Sequence, residues 1–390
     1  MLSEIADIGR DAHTGGYRRY AWNDADMALR EWFVSSAEAR GLDVHEDGNG
    51  NQYAWRGSSE QGDALMIGSH LDSVPDGGAY DGPLGVVSSF AALDALEKVR
   101  HVLVRPIVIA NFADEEGARF GIACAGSQLL TGVLAADKAL GLRDRDGITM
   151  AEALTSRGRD PRALGPDPEL LAKIGTFVEL HVEQGKSLIN SGDAVGVASA
   201  IWPHGRFRFD FCGEANHAGA TAMGDRRDPM IAYAATVLAA QRLATESGAR
   251  ATFGKLRVEP GGANAIPSRI TAWLDARAAG EPALDKLVDD LVAAAKDASE
   301  RTSVEMTTES LSPAVEFDVP LRDGLAKLLD APVLPTGAGH DAGVLSERLP
   351  TAMLFVRNPT GISHSPEEFA EDADCKAGVD ALADVIRALA

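Results

Sequence analysis

Cysteine is scarce in this chain of 390 residues: Cys124, Cys212 and Cys375 lie far apart and never in a Cys-x-x-Cys spacing. Neither a disulfide framework nor a thiolate zinc site is indicated, and a reducing cytoplasm is the expected compartment. Long apolar runs are missing as well. None reaches the roughly 18 residues that a membrane-crossing helix needs, and the N-terminus lacks the basic start and apolar stretch of a secretion signal. Basic charge is in deficit, with 58 acidic against 37 basic side chains and a formal net charge of −21. So negative a surface repels phosphate backbones and anionic headgroups, so neither nucleic acid nor membrane is expected as a partner. Internal repeats and low-complexity segments are absent too.

Apolar residues at 45% and charged residues at 24% give an ordinary globular composition. The length exceeds the roughly 250 to 300 residues at which one hydrophobic core stops growing, so two domains are expected. Residues 24–40 carry apolar positions at helical spacing, and strands joined by an Asn/Gly turn follow. "ALMIGSH" and "RPIVIANFADEEG" are apolar strands ending in polar residues, with the helical "GVVSSFAALDAL" between them. Strands alternating with helices imply an α/β fold with a mostly parallel sheet flanked by helices. Ligands of such sheets sit beyond the carboxyl ends of the strands.

From about 199 to 311 the order becomes β-α-β-β-α-β, the split arrangement of a ferredoxin-like sandwich. The expectation is a second domain over 199–311, inserted into a first built from 1–198 and 312–390.

Candidate ligands recur at the ends of the predicted strands: His70 and Asp72, Asp81, Glu115 and Glu116, His181 and Glu183, and His364. Imidazole and carboxylate without thiolate is a ligand set for zinc, manganese, cobalt or nickel. Asp81, in the glycine-rich "PDGGAYDGPLG", suits a carboxylate bridging two cations. Asp72 is placed to hydrogen-bond the second ring nitrogen of His70 and fix its tautomer. Adjacent acids at a strand end diverge, so one of Glu115 and Glu116 can bind metal while the other handles a proton. Each feature alone has a plain alternative: aspartate and glycine are common in turns, and paired glutamates can open a helix.

"GGYRRYAW", "GSHLDSVPDGGAYDGPLGV", "ADEEGARFG", "LHVEQG", "NHAGATAM", "GGANAIPSRITAWLDAR", "GAGHDA" and "GISHSPEE", in this order, span nearly the whole chain. The chain resembles the hydantoinase/carbamoylase family of dinuclear metal amidohydrolases, relatives of the zinc aminoacylases and carboxypeptidases. The resemblance implies a zinc-peptidase-like catalytic domain with two divalent metal ions per subunit. One would be held by His70, Asp81 and His181, the other by Asp81, Glu116 and His364, with Glu115 as general base. It further implies that Gln184, His217, Asn264 and Arg277 reach substrate, with His217 stabilising an oxyanion and Asn264 plus Arg277 gripping a carboxylate. A paired guanidinium fork suits that grip; the plain alternative for Arg277 is a salt bridge with Asp275 on the same strand face. His340 is expected near the site rather than in it.

Family members are typically homodimers that pair through the inserted domain, and that domain can swing toward the catalytic one. Their substrates are small ureido compounds with a carboxylate: N-carbamoyl-L-amino acids, allantoate or N-carbamoyl-β-alanine. "PDGGAYDGPLGV" favours the first, with allantoate amidohydrolase and β-ureidopropionase as alternatives. An aminoacylase or peptidase of the wider clan usually presents a carboxylate where this chain has His181. A non-catalytic scaffold would have lost part of the ligand set. Arg357, just before "GISHSPEE", is open to two placements, in the substrate pocket or facing solvent.

Overall fold

The structure is a computed structural model that describes residues 2–390. The chain divides into two compact units, one formed by Met1–Ala200 with Glu316–Ala390 and the other by Ile201–Val315. The second unit begins and ends slightly later than 199–311, and its last strand, Ser303–Ser312, runs just past the expected end.

The first unit is built on a nine-stranded sheet. Its four parallel strands run side by side in the order Ile107–Phe112, Ala64–His70, Ile174–Val182 and Thr351–Val356. Antiparallel neighbours, Gln52–Arg56 and Val195–Ile201, flank them. The parallel strands are buried along most of their length, which is why they read as continuous apolar runs instead of alternating ones. Helices Pro83–Lys98 and Asp372–Leu389 pack against the sheet and each other, closing a core around Phe33, Phe90, Ile109, Leu180 and Leu382. All four parallel strands direct their carboxyl ends to one edge of the sheet, and the polar motifs follow from those ends.

The second unit is a four-stranded antiparallel sheet in the order Ser303–Ser312, His204–Cys212, Arg269–Arg277, Arg250–Glu259. Along the chain its elements run β-α-β-β-α-β, with helices Pro229–Ser247 and Glu281–Asp297 contacting the sheet. Alternation sends Phe207, Phe209, Phe211, Ile270 and Leu274 into the core beneath those helices. One feature was not read from the sequence. "NHAGA" and "GGANAIP" contribute a two-stranded ladder, Asn216–His217 against Ala265–Ile266, which is too short to produce a periodic signal.

Candidate metal centre

His70 and His181 come together through strand register. Gly68 pairs with Glu179 on the neighbouring parallel strand, and each histidine lies two residues further on, so both rings project from one face. Their centroids are 5.9 Å apart. His181 donates from Nδ1 to the carbonyl of Val182 at 2.8 Å, so in the neutral ring Nε2, facing inward, is the nitrogen that carries the lone pair. His70 Nδ1 hydrogen-bonds the backbone carbonyl of Asp72 at 3.3 Å and lies equally close to its Oδ1, and this fixes the same tautomer. Both Nε2 atoms are buried without a hydrogen bond. Asp81 Oδ1 stands 3.8 Å from the first and 3.0 Å from the second, without the alignment a hydrogen bond requires. Two buried ring nitrogens facing one carboxylate without a hydrogen bond are what a cation between them would satisfy.

Asp81 reaches this position because its loop lies against the imidazole of His70. Gly82 has φ +83°, and a Cβ there would come within 2.3 Å of that ring. Asp81 Oδ2 faces the other way, 3.5 Å from His364 Nε2, and accepts from Gln184 Nε2 at 2.7 Å and Ser363 Oγ at 2.8 Å. Glu116 Oε2 lies 3.7 Å from the same histidine nitrogen. His70, Asp81 and His181 thus form one group with metal-binding geometry, and Asp81, Glu116 and His364 form a second that shares Asp81. Zinc, manganese, cobalt and nickel are all compatible with such nitrogen and oxygen donors.

Glu115 and Glu116 diverge as expected. Glu115 Oε2 is 3.6 Å from His70 Nε2 and its Oε1 accepts from Cys124 Sγ at 3.4 Å, while Glu116 Oε1 accepts from the Val74 N–H at 3.3 Å. Asp72 anchors both, since its two oxygens accept from the Glu115 and Glu116 N–H groups at 3.1 and 3.0 Å. Burial pushes the Glu115 carboxyl well above the usual range, opposed by His70 and reinforced by Asp341 and Glu116. Burial, with the Asp81 charge adding to it, raises Glu116 to about 8. Crowded carboxylates of this kind are costly to ionise without counter-charge, and cations supply that counter-charge.

His340 is buried, with its ring centroid 4.5 Å from that of His181, so it adjoins the cluster. Glu183 does not join it. Its carboxylate accepts from the N–H groups of Ser187 and Leu188, at 2.6 and 3.0 Å, and so caps the start of a short helix. Arg357, its side chain 24% exposed, is held by Asp374 on the C-terminal helix through two bonds, at 2.8 and 2.7 Å, and donates to the Gly192 carbonyl at 3.2 Å. Sequence reasoning missed Ser363 and Cys124. The quoted motifs contain or border both, but nothing in their spacing marks a hydroxyl on Asp81 or a thiol on Glu115.

In the second unit the short ladder pairs His217 with Ala265, and the Ala218 N–H donates to the Asn264 carbonyl at 3.0 Å, so His217 and Asn264 are neighbours. His217 Nδ1 accepts from the N–H groups of Gly219 and Ala220, at 3.0 and 3.1 Å, which puts its proton on Nε2. Arg277 does not join them. It ends the strand that begins at Arg269, on the order of 25 Å further along at the usual rise per residue. There it makes a two-bond pair with Asp275, at 2.7 and 3.1 Å, the salt bridge that strand alternation allows.

The model of peptidase family M20/M25/M40 matches residues 66–388. The chain belongs to that family. Among its relatives, an N-carbamoyl-L-amino acid amidohydrolase of Geobacillus stearothermophilus is 36% identical, over 98% of this chain and 95% of that one. An allantoate amidohydrolase of Bacillus subtilis is 32% identical over 99% and 95%. The crystal structure of a hydantoinase/carbamoylase family amidase from Burkholderia multivorans superposes with a TM-score of 0.87 at 28% identity, covering 100% of this M20/M25/M40 chain and 96% of that one. The resemblance read from the motifs therefore extends over the whole chain, in sequence and in backbone. Among the described residues no helix is long and apolar enough to cross a membrane.

Proposed function

We propose that this chain is a metal-dependent amidohydrolase that removes the carbamoyl group from an N-carbamoyl-L-amino acid, yielding the L-amino acid, carbon dioxide and ammonia. The observation that carries the proposal is the pair of ligand groups sharing Asp81, with Glu115 beside them at the sheet edge. Two divalent cations held there would polarise a ureido carbonyl and lower the pKa of a water between them. Glu115 takes the proton from the attacking water on Oε2, the oxygen that Cys124 leaves open, and returns it to the departing nitrogen. Asp72 keeps the base and His70 in register for that transfer.

The substrate roles assigned to Gln184, His217, Asn264 and Arg277 belong to the same proposal. The proton on His217 Nε2 supports its part as an oxyanion donor. Asp275 competes for Arg277, so a substrate carboxylate has to replace one anionic partner by another.

We further propose a homodimer that pairs through the inserted unit. Ile231 and Leu238, 64% and 67% exposed, lie two turns apart on one face of helix Pro229–Ser247, and Arg250–Glu259 is an edge strand. A cytoplasmic location is part of this reading, supported by three free cysteines.

The test is ammonia release from N-carbamoyl-L-amino acids, N-carbamoyl-β-alanine and allantoate. Chelated enzyme is reloaded separately with zinc, manganese, cobalt or nickel, with Glu115→Gln as control. Turnover of the carbamoyl amino acids that the control lacks supports the proposal. Turnover of allantoate alone moves the chain to that activity, for which the Bacillus subtilis relative is named. Silence on every substrate refutes the substrate class.

A further inference from the structure

The loop that carries Asp81 and the loop that carries His364 are 282 residues apart between Asp81 and Ser363, yet one carboxylate holds both. Glu368 Oε1 accepts from the N–H groups of Tyr80 and Asp81, at 2.8 and 3.0 Å, so it grips the backbone of the glycine loop at the residue whose side chain stands between the two ligand groups. Glu368 Oε2 lies 3.0 Å from Ser363 Oγ, and the same hydroxyl lies 2.8 Å from Asp81 Oδ2. A hydroxyl has one proton, so Ser363 serves one of these carboxylates at a time and stands between them as a spacer.

The fit around the clamp is close. A Cβ on Gly78 would fall 2.4 Å from Glu368 Oε1, so glycine at that position makes room for the carboxylate. Tyr80 and Phe369 meet edge to face with centroids 6.3 Å apart, a second tie between the same two loops. Glu368 itself is buried. His364, which this clamp serves, is the exposed member of the cluster with a side chain 51% accessible, and its backbone has φ +56°. A ligand on an exposed loop in an uncommon backbone conformation depends on its neighbours for its position.

We propose that Glu368 is a positioning residue that sets the distance between Asp81 and His364, and thereby governs occupancy of the second cation site while leaving the first largely intact. The first site draws His70 and His181 from strand ends, so it keeps two rigidly mounted ligands without the clamp. The second has Glu116 on a loop and His364 on a loop, and depends on the tie between segments. This inference rests on the dinuclear reading given above.

The experiment is titration of chelated full-length protein with cobalt(II), followed by isothermal calorimetry and by visible absorption, with bound metal counted by mass spectrometry. The wild-type chain is expected to take up two ions. Glu368→Ala is expected to keep the first and bind the second at least about tenfold more weakly, the scale on which residues supporting metal ligands act. Glu368→Gln retains an acceptor oxygen for the loop and should fall between the two. Ser363→Ala, which leaves the grip on the Tyr80 and Asp81 backbone intact, should weaken the second ion less than Glu368→Ala does, and Glu368→Gln serves as the reporter if Glu368→Ala fails to fold. Two ions bound with wild-type affinity by Glu368→Ala, or by Glu368→Gln where Glu368→Ala does not fold, would overturn the clamp. A wild-type chain that binds fewer than two ions would overturn the dinuclear reading itself, and the clamp with it.

Discussion

Replacing Asp72 by asparagine removes one charge and almost no volume, so it isolates what that carboxylate does for the base and the first histidine. In the wild-type chain its oxygens accept from the Glu115 and Glu116 N–H groups at 3.1 and 3.0 Å, and His70 Nδ1 stands 3.3 Å from Oδ1. An amide offers one oxygen and one NH2 group. Whichever way it turns, the NH2 meets a backbone N–H, so one charge-assisted bond is lost and one donor is left unpaired. A hydrogen bond to a charged group contributes about 1.5 to 3 kcal/mol, and an unpaired buried donor costs about 1 to 3 kcal/mol. The two effects overlap, and a net loss of about 2 to 4 kcal/mol is expected. Urea denaturation of the chelated chain should show it as a lower midpoint at unchanged slope. Because the same carboxylate stands beside the Asp72 carbonyl in orienting His70, and the carbonyl is kept, zinc affinity should fall by up to about tenfold. Asp72→Ala strands both backbone donors and should be worse on each count. Stability of Asp72→Asn within about 0.5 kcal/mol of wild type, the range of an ordinary surface change, together with unchanged zinc affinity, would refute this account of the site.

Cys124→Ala removes the thiol that holds Glu115 Oε1, so kcat should fall about threefold to tenfold at little changed KM, the worth of one hydrogen bond from a weak thiol donor; Cys124→Ser should restore most of it, and equal kcat in all three would count against the contact. Burial, with the Glu179 charge adding to it, raises the Asp341 carboxyl from 3.8 to about 8. An acid with a raised folded pKa binds its proton more tightly when folded, so its contribution is present at low pH and lost as pH climbs from about 4 to about 8. Chelated wild type should lose stability with rising pH across that window. Asp341→Asn should flatten the slope by up to one proton, ~1.4 kcal/mol per pH unit, and an unchanged slope would contradict a neutral Asp341. In the inserted unit, Phe209 is fully buried between Phe211 and Phe253, and Phe209→Ala should cost about 3 to 5 kcal/mol in chemical denaturation; a loss under about 1 kcal/mol would mean that this core is not packed as described.

Much of the site was legible because the chemistry follows directly from strand periodicity. An apolar run that ends in a histidine or an acid places that residue at the edge of a parallel sheet, and doing so repeatedly gathers the ligands without any knowledge of their contacts. Glu183 shows where that logic fails. It also follows a strand end, but its partners are the amides of Ser187 and Leu188, and a local cap competes with metal ligation for the same carboxylate. The partners that were not legible act through single atoms, Cys124 from nine residues away and others across long separations in the chain. Asp72 binds the Glu115 amide 43 residues away, and Glu368 binds the Tyr80 amide 288 away. Backbone donors look the same in every sequence, so no residue type announces such a bond.

Arg277 shows a different limit. Its motif marks a guanidinium that holds a carboxylate, and the structure supplies one, but it is Asp275, two residues earlier on the same strand face. A substrate carboxylate would have to displace that partner, so the outcome depends on a difference between two similar anions. Asp275 is tethered and pays little entropy for its pairing, while a substrate brings its other contacts to the exchange. Removing Asp275 should therefore lower KM for a carboxylate-bearing ureido substrate if Arg277 serves that substrate. Steady-state kinetics of Asp275→Ala decides the point: KM unchanged in Asp275→Ala and Arg277→Ala alike would leave the pair a fixture of the sheet, with no part in recognition.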